Sequence, residues 1–485
     1  MMSTRPAVRW NGVVPVIEPA IRTPLWTSAE IAAATRGFAH GAPFVATGVS
    51  IDSRVIERGD LFIALAGARD GHDFVPAALG AGAAGVLTTR PVAGPCVVAD
   101  DTLSGLEKLG EAGRLRATRA RRGAITGSVG KTSVTQLVRA GLDLAGAAHG
   151  SVKSYNNHIG VPVTLARMPV DTERAIFEIG MNHAAEISPL SVMVRPRAIA
   201  ITTVEAVHVE NFLDGEAGVA RAKAEILDGL DPGGLAILNA DNRWFDFLKA
   251  EARRRGAKVL AFGRDKTNDA QLLRFAPAPG GASVEARIDT RRVEFPIRQS
   301  APHWGPMSLC ALLMMRALDV DLDLGLAALA AFEPLPGRGA ERTLEGPRGR
   351  FTLIDESYNA SPVSVAAALA SLGAKITRGR RIAALTDMLE LGPAAADRHA
   401  GLAADAEAAG VDLVFCAGPL MKSLFDALPP AKRGGYASTA NELFPMLAAA
   451  VGLGDVVMVK GSRDSKAGSL VVGLTTMDLA RRECR

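Results

Sequence analysis

The sequence predicts an α/β protein of three domains. Three observations predict it. The chain has 485 residues, about three times a common domain length of 100–200 residues. The apolar runs 175–179 (AIFEI), 198–204 (AIAITTV) and 235–238 (LAIL) each stop at glycine or polar residues, as strands buried on both faces of a parallel sheet do. After the Pro/Gly-rich stretch EPLPGRGAE (333–341) the pattern returns in FTLI (351–354), RIAAL (381–385), DLVFCAG (412–418) and DVVMVKGS (455–462). Alanine-rich helical stretches separate these runs, which predicts a second doubly wound sheet. The division expected is 1–115, a small α/β unit carrying VSIDSR and GDLFIALAGARDGHDF; 116–335, repeated strand-then-helix units in a doubly wound sheet; and 336–485, the second such sheet.

Composition narrows the function. Nearly half the residues are apolar and the formal net charge is only +4, which argues against a dedicated nucleic-acid binder. The densest basic run, Arg114, Arg116, Arg119, Arg121 and Arg122, reads as a solvated helix face or an interdomain segment. Cys96, Cys310, Cys416 and Cys484 are scattered without a C-x-x-C pair, so neither a disulfide framework nor a zinc site is indicated. The N-terminus lacks the apolar core of a signal peptide. The longest apolar stretch, from Met307, is interrupted by Arg316, Asp319, Asp321 and Asp323, so no membrane span is expected. The expectation is a soluble, cytoplasmic, monomeric protein.

The stretch RGAITGSVGKTSVTQLV (122–138) reads as strand, loop and helix. Gly127 and Gly130 allow a tight turn that brings N–H groups to an anion. Val134, Leu137, Val138 and Leu142 give an amphipathic helix starting after Lys131. Its N-terminus favours phosphate, Lys131 would neutralise the β/γ-phosphates, and the Thr132 hydroxyl would reach Mg²⁺. The usual Walker spacing places a glycine at position 125, where this chain has Ile125.

Glu178 falls near the end of the run 175–179 and would face the ligand crevice at a strand's carboxyl end, where it could hold Mg²⁺ or simply pair with a cation. His208 follows the next strand and is open between ligand and ordinary packed or solvated residue. Residues 216–230 (EAGVARAKAEILDGL) read as one helix with the apolar stripe Val219, Ile226, Leu227 and Leu230. Lys223 falls on that stripe. A buried lysine needs a partner, a shifted pKa or modification; the alternative is a lysine snorkelling from the rim.

Together TGSVGKTS (126–133), NNHIGVP (156–162), EIGMNHAAEI (178–187), HVENF (208–212), ARAKAEI (220–226) and LNADN (238–242) resemble the Mur ligases, ATP-dependent enzymes that build the peptidoglycan peptide. That family has a short loop, TG-x-x-GK-[TS], without the first Walker glycine. IDESYNASP (354–362), LTDMLELG (385–392) and VKGS (459–462), with NNHIGVP and EIGMNHAAEI, resemble the members that add D-alanyl-D-alanine. The resemblance implies an N-terminal UDP-sugar-binding domain, a central P-loop ATPase-like domain and a C-terminal Rossmann-like domain.

It implies ATP contacts from Gly127, Ser128, Val129, Gly130, Lys131, Thr132, Ser133, Arg338, Asp355 and Asn359. It implies Mg²⁺, two ions in all, held by Thr132, Glu178, His208 and Lys223, with Lys223 N-carboxylated. Lys131, His208 and Lys223 would be catalytic, and Ser53, Arg54, Asn156 and Asn157 would bind substrate. The partners implied are UDP-MurNAc-tripeptide and D-alanyl-D-alanine. There are departures. His303 and Trp304 fit the family, but Met307 stands where members carry an asparagine near adenine, Gly305 and Pro306 make a poor helix start, and Arg463 to Lys466 differ from the expected form.

The reaction implied turns a carboxylate into an acyl phosphate, which an amine then displaces. Phosphoryl transfer needs positioning and charge neutralisation, so no nucleophilic Ser or Cys is required. The alternatives are a ligase of the same superfamily adding a single amino acid or acting on folate, and a catalytically weak nucleotide-binding scaffold.

Overall fold

The computed structural model describes residues 23–483 apart from 153, 208 and 279. Among the described residues lie a two-stranded pair and sheets of five, nine and six strands. The central sheet runs, from one edge, Arg291–Ile297, Gly281–Ile288, Ala270–Ala278, Lys258–Gly263, Leu235–Asn239, Ala198–Ile201, Arg121–Thr126, Arg174–Glu178 and Ala148–Gly150. From Lys258–Gly263 onward all neighbours are parallel. The chain order reverses at Arg121–Thr126, whose neighbours are Ala198–Ile201 and Arg174–Glu178. Ligands of open α/β sheets bind at such a switch point, beyond the carboxyl ends of the strands.

Both faces of this sheet are covered, as its continuous apolar runs require. On one face lie the helices Lys131–Ala145, Trp304–Ala317 and Leu322–Ala331, and on the other Gly160–Ala166, Ile187–Val194 and Glu216–Ala224. Val134, Leu137, Val138 and Leu142 of the first helix are at most 1% exposed. Each such side chain contributes about 1.5–3 kcal/mol on burial, so the helix that follows the phosphate loop is firmly seated.

Three expectations change. Residues 270–297 are not strand-then-helix units but a three-stranded antiparallel meander. Buried and half-buried positions alternate along GASVEARI, and period two makes a half-buried strand rather than a helix. A regular helix does begin at Trp304, with Gly305 and Pro306 in its first turn. The proline N–H is missing where no helical partner exists anyway, and a Cβ at Gly305 would stand 2.9 Å from Leu272 Cδ2. The helix expected over 216–230 is α-helical only through Ala224 and tightens to a 3₁₀ turn over Glu225–Gly229.

The first sheet is ordered Phe38–His40, Cys96–Val98, Gly85–Thr88, Asp60–Ile63, Gly48–Ser50. It is joined to the central unit through the helix Thr102–Arg116, in which a Cβ at Gly113 would stand 2.4 Å from Leu165 O. Trp26 Nε1 donates to Ala166 O at 2.7 Å, and the Arg116 guanidinium stacks 3.5 Å over the Trp26 ring. Arg116 also donates to the Leu25 and Met168 carbonyls. The basic run is thus not one solvated helix face: Arg116 seals a seam between units, and Arg121 pairs with Asp319 at 2.8 Å.

The last sheet is ordered Ala340–Gly346, Gly349–Glu356, Val456–Lys460, Arg381–Thr386, Leu413–Ala417, Arg433–Ala437. It is parallel except for the hairpin formed by its first two strands. No helix among the described residues is long and apolar enough to cross a membrane.

Candidate active site

The phosphate loop continues the strand Arg121–Thr126. Ile125 lies inside that strand, fully buried and opposite Glu178 and Ala200, so the turn starts only at Gly127. Gly127 has φ +150 and Gly130 φ +86. A Cβ on Gly127 would stand 1.9 Å from Thr202 Oγ1, and one on Gly130 2.4 Å from Met307 Cε. Glycine is therefore required at both places for space as well as for backbone conformation. Thr202 Oγ1 donates to Val129 O at 2.6 Å, and Ser128 is tied to the 203–205 segment through Thr203 O and the Glu205 backbone. The loop is thereby curled over the end of the neighbouring strand. Lys131 Nζ bends back to Gly127 O at 2.7 Å. Burial lowers the Lys131 ammonium below its ordinary range, Glu178 opposes this and Arg338 adds to it. Ser133 and Thr132 are buried in the first turn of the helix.

Glu178 is 1% exposed. Its Oε1 accepts from Asn156 Nδ2 at 2.6 Å, while Oε2 is buried without a hydrogen-bond partner. An ionised carboxylate oxygen in that condition is costly unless a cation meets it. With the Thr132 hydroxyl and the phosphates expected at the loop, the donors are hard oxygens of the kind Mg²⁺ takes, so these residues fit the ion.

Lys223 is 2% exposed, and among the described residues no hydrogen bond or ion pair reaches its Nζ. Burial pushes its ammonium well below the ordinary lysine range, Lys131 adds to the effect and Glu225 opposes it. It is an inward lysine of the stripe, beside Val219 and Ile226, both fully buried. His208 lies outside the described residues.

The C-terminal unit reaches into the same place. Gly337 (φ +74) and Gly339 (φ +91) flank Arg338 in a turn. Asp355 holds this turn: its carboxylate accepts from the Gly337 N–H at 2.9 Å and from Ser357 N–H and Oγ, at 3.1 and 2.6 Å. Arg338 Nη2 donates to Thr132 Oγ1 at 3.0 Å, and its guanidinium stacks 3.9 Å over the Tyr358 ring. Tyr358 OH donates to Ser154 Oγ at 2.7 Å, and Ser154 Oγ lies 3.1 Å from Thr132 Oγ1. Arg338, Thr132, Ser154 and Tyr358 therefore form a closed ring across the two units. Further along the seam, Lys375 Nζ meets Ser300 Oγ at 2.6 Å and also pairs with Glu341.

The sequence-predicted residues divide accordingly. Gly127 to Ser133, Glu178, Lys223, Arg338 and Asn156 gather at the switch point. Asp355 stands behind Arg338 as its support. Asn359 is exposed, and its carbonyl accepts from Lys460 Nζ at 3.0 Å. Asn157 Oδ1 accepts from the N–H groups of Ile159 and Gly160, starting the next helix. Ser53 and Arg54 lie on a short 3₁₀ turn of the first unit, with the Arg54 guanidinium on Asp52 at 2.7 and 2.8 Å. No hydrogen bond or ion pair among the described residues joins the Ser53 or Arg54 side chain to the loop. Ser154 and Tyr358 were not singled out from the sequence, although both lie in quoted or adjoining motifs. Their mark is a hydroxyl beside chemistry-bearing neighbours, Ser154 two residues before Asn156 and Tyr358 between Asp355 and Asn359.

A glycine loop shaped for phosphate, a carboxylate beside it with one unpartnered oxygen, and a C-terminal α/β unit closing through an arginine fit a nucleotide-dependent ligase built from three α/β units. The comparisons agree. Family models match in three places: the Mur ligase family catalytic domain over residues 45–112, the Mur ligase middle domain over 125–314 and the Mur ligase glutamate ligase domain over 342–463. The UDP-N-acetylmuramoyl-tripeptide–D-alanyl-D-alanine ligase of Escherichia coli is 32% identical over 90% of this chain and 96% of its own. A crystal structure of MurF from Acinetobacter baumannii superposes with a TM-score of 0.81 at 25% identity, covering 94% of this chain and all of that one. MurF from Thermotoga maritima in complex with ADP superposes with a TM-score of 0.73 at 21% identity, over 90% and 98% of the two chains. The chain belongs to the Mur ligases and, within them, to the MurF type. It is an ATP-dependent ligase that forms an amide bond.

Proposed function

We propose that this enzyme joins D-alanyl-D-alanine to UDP-MurNAc-tripeptide in peptidoglycan precursor synthesis, with ADP and phosphate as the other products. The observation that carries the site's part of this reading is the buried, unpartnered Glu178 Oε2 beside the loop that holds Lys131 and Thr132. Lys131 neutralises the β/γ-phosphates, and the loop N–H groups orient them. Thr132, Glu178, Lys223 and His208 would hold Mg²⁺, which supplies charge neutralisation at the transferring phosphoryl group when bound. Arg338 closes over the phosphates with the C-terminal unit, keeping water from the acyl phosphate. The tripeptide carboxylate attacks the γ-phosphorus and becomes the acyl phosphate. The dipeptide amine then displaces phosphate, losing a proton as the amide forms.

Lys223 supports a further element of the reading. Burial lowers its basicity and so favours the neutral amine in a dry place. A neutral amine adds CO₂ to give a carbamate with release of a proton, and that carbamate is an anion able to meet metal. Ser53 and Arg54 would serve the UDP end and Asn156 and Asn157 the peptide side. Asn359 would serve the nucleotide. The chain divides functionally at 115/116 and 335/336, and it acts as a cytoplasmic monomer.

The test is phosphate release from ATP with UDP-MurNAc-tripeptide and D-alanyl-D-alanine. Release that requires both supports the reading. Equal release with a single amino acid in place of the dipeptide, or nucleotide binding without turnover, overturns it.

A further inference from the structure

The arginines outside the active site pose a separate question. A cavity of about 580 Å³ opens at the amino ends of strands Arg121–Thr126 and Ala198–Ile201, at the opposite end of these strands from the phosphate loop. Arg119, Arg121, Arg122 and Arg197 line it, with Glu173 and Asp231. The carboxylates there have cations of their own. Glu173 meets Arg174 at 3.0 Å and Arg119 at 3.5 Å, Asp231 meets Arg195 at 3.7 Å, and Asp319 takes Arg121.

Arg122 and Arg197 are left. Among the described residues the Arg122 guanidinium donates, through Nε and Nη1, to the carbonyls of Val194, Arg195 and Ala120, which are neutral. Arg197 is exposed, and among the described residues no hydrogen bond or ion pair reaches its guanidinium. Nearby, Arg114 Nε is buried without a partner. Burial, and then the charge of Arg195, lower the Arg114 guanidinium, against Glu111 and Asp231; burial also lowers that of Arg122, where Asp231 opposes it and Arg114 and Arg195 add to it. The arginines repel one another, the carboxylates offset only part of that as four arginines face two carboxylates on the cavity wall, and an anion there would relieve the remainder.

We infer that this cavity is a second anion site, whose ligand is a small phosphoryl anion held between Arg122 and Arg197. Arg197 has no carboxylate partner among the described residues and Arg122 keeps its Nη2 free, so each guanidinium can offer N–H groups to a phosphoryl oxygen. The volume falls within the range of roughly 300–1,000 Å³ that small ligands occupy. The small net charge of the chain gives no broad field to attract an extended polyanion. The phosphoryl group could belong to inorganic pyrophosphate or to the tail of a nucleotide.

The experiment is calorimetric titration of Lys131→Ala protein with inorganic pyrophosphate and, separately, with ADP, so that the phosphate loop does not compete. Binding is expected to persist in that protein, to weaken about tenfold on adding Arg197→Ala, as loss of one charge-assisted bond implies, and to vanish with Arg197→Glu. Binding of pyrophosphate or of ADP that Arg197→Glu abolishes upholds the site, and the tighter of the two identifies the source. In the unsubstituted chain the same site is a second binding event that Arg197→Glu alone removes, while amide formation by Arg197→Ala protein stays unchanged. No binding by Lys131→Ala protein together with a single event in the unsubstituted chain overturns the inference. So does binding indifferent to Arg197→Glu, or binding of an oligonucleotide but not of pyrophosphate or ADP.

Discussion

Tyr358→Phe is the sharpest probe of how the C-terminal unit docks. It deletes one hydroxyl, the donor to Ser154 Oγ at 2.7 Å, and keeps the ring on which Arg338 stacks at 3.9 Å. A single neutral hydrogen bond is worth about 0.5–1.5 kcal/mol net, or roughly two- to twelve-fold in the closing equilibrium. Arg338→Ala removes both the stack and a charged donor to Thr132, together about 2–5 kcal/mol, so it opens the molecule far more. Small-angle scattering of nucleotide-free protein reads the closed fraction directly, and the KM for ATP reads it in turnover. Ser154→Ala and Tyr358→Phe share one bond, so their double-mutant cycle is expected to show a coupling of about 1 kcal/mol. Additive effects of the two, with scattering unchanged in Arg338→Ala, would refute the ring as the docking element.

Other outcomes follow from the same geometry. Lys223→Met flattens a pH dependence of stability: between its lowered native pKa and the ordinary lysine value the unfolded chain holds a proton that the native chain does not, so native stability rises with pH across that window and is lost as pH falls. Urea midpoints at pH 7 and 9, in bicarbonate-free buffer, check this, and equal slopes for the two proteins contradict it. Glu178→Gln keeps the partner Asn156 but loses the charge at the unpartnered oxygen, so half-maximal turnover needs at least about tenfold more Mg²⁺; an unchanged requirement removes Glu178 from the metal site. Gly130→Ala places a methyl 2.4 Å from Met307 Cε at φ +86, which costs about 1–2 kcal/mol in backbone strain alone. ADP affinity is expected to fall about tenfold, with partial recovery when Met307→Ala makes room; no recovery means the thioether is not what fills the space.

Much of the architecture was legible because buried parallel strands write themselves as apolar runs. The runs beginning at 175, 198, 235, 351, 381, 412 and 455 all carry strands. The meander at 270–297 was missed because its strands alternate and its exposed face is polar. The helix at Trp304 was doubted on Gly305 and Pro306, although a first turn tolerates both. Lys223 was legible because helical spacing alone puts it among Val219 and Ile226. Ile125 departs from the usual Walker spacing because its side chain belongs to the strand and the turn starts only at Gly127. Ser154 and Tyr358 could not be found by spacing, since they lie 204 residues apart and meet only because the last unit folds back over the switch point.

The central claim is that this crevice phosphorylates a carboxylate, and isotope transfer tests it most directly. UDP-MurNAc-tripeptide labelled with ¹⁸O in its terminal carboxylate is turned over with ATP and D-alanyl-D-alanine, and the released phosphate is weighed by mass spectrometry. Attack of the carboxylate on the γ-phosphorus predicts one labelled oxygen in each phosphate formed. Phosphate released without label would contradict the account.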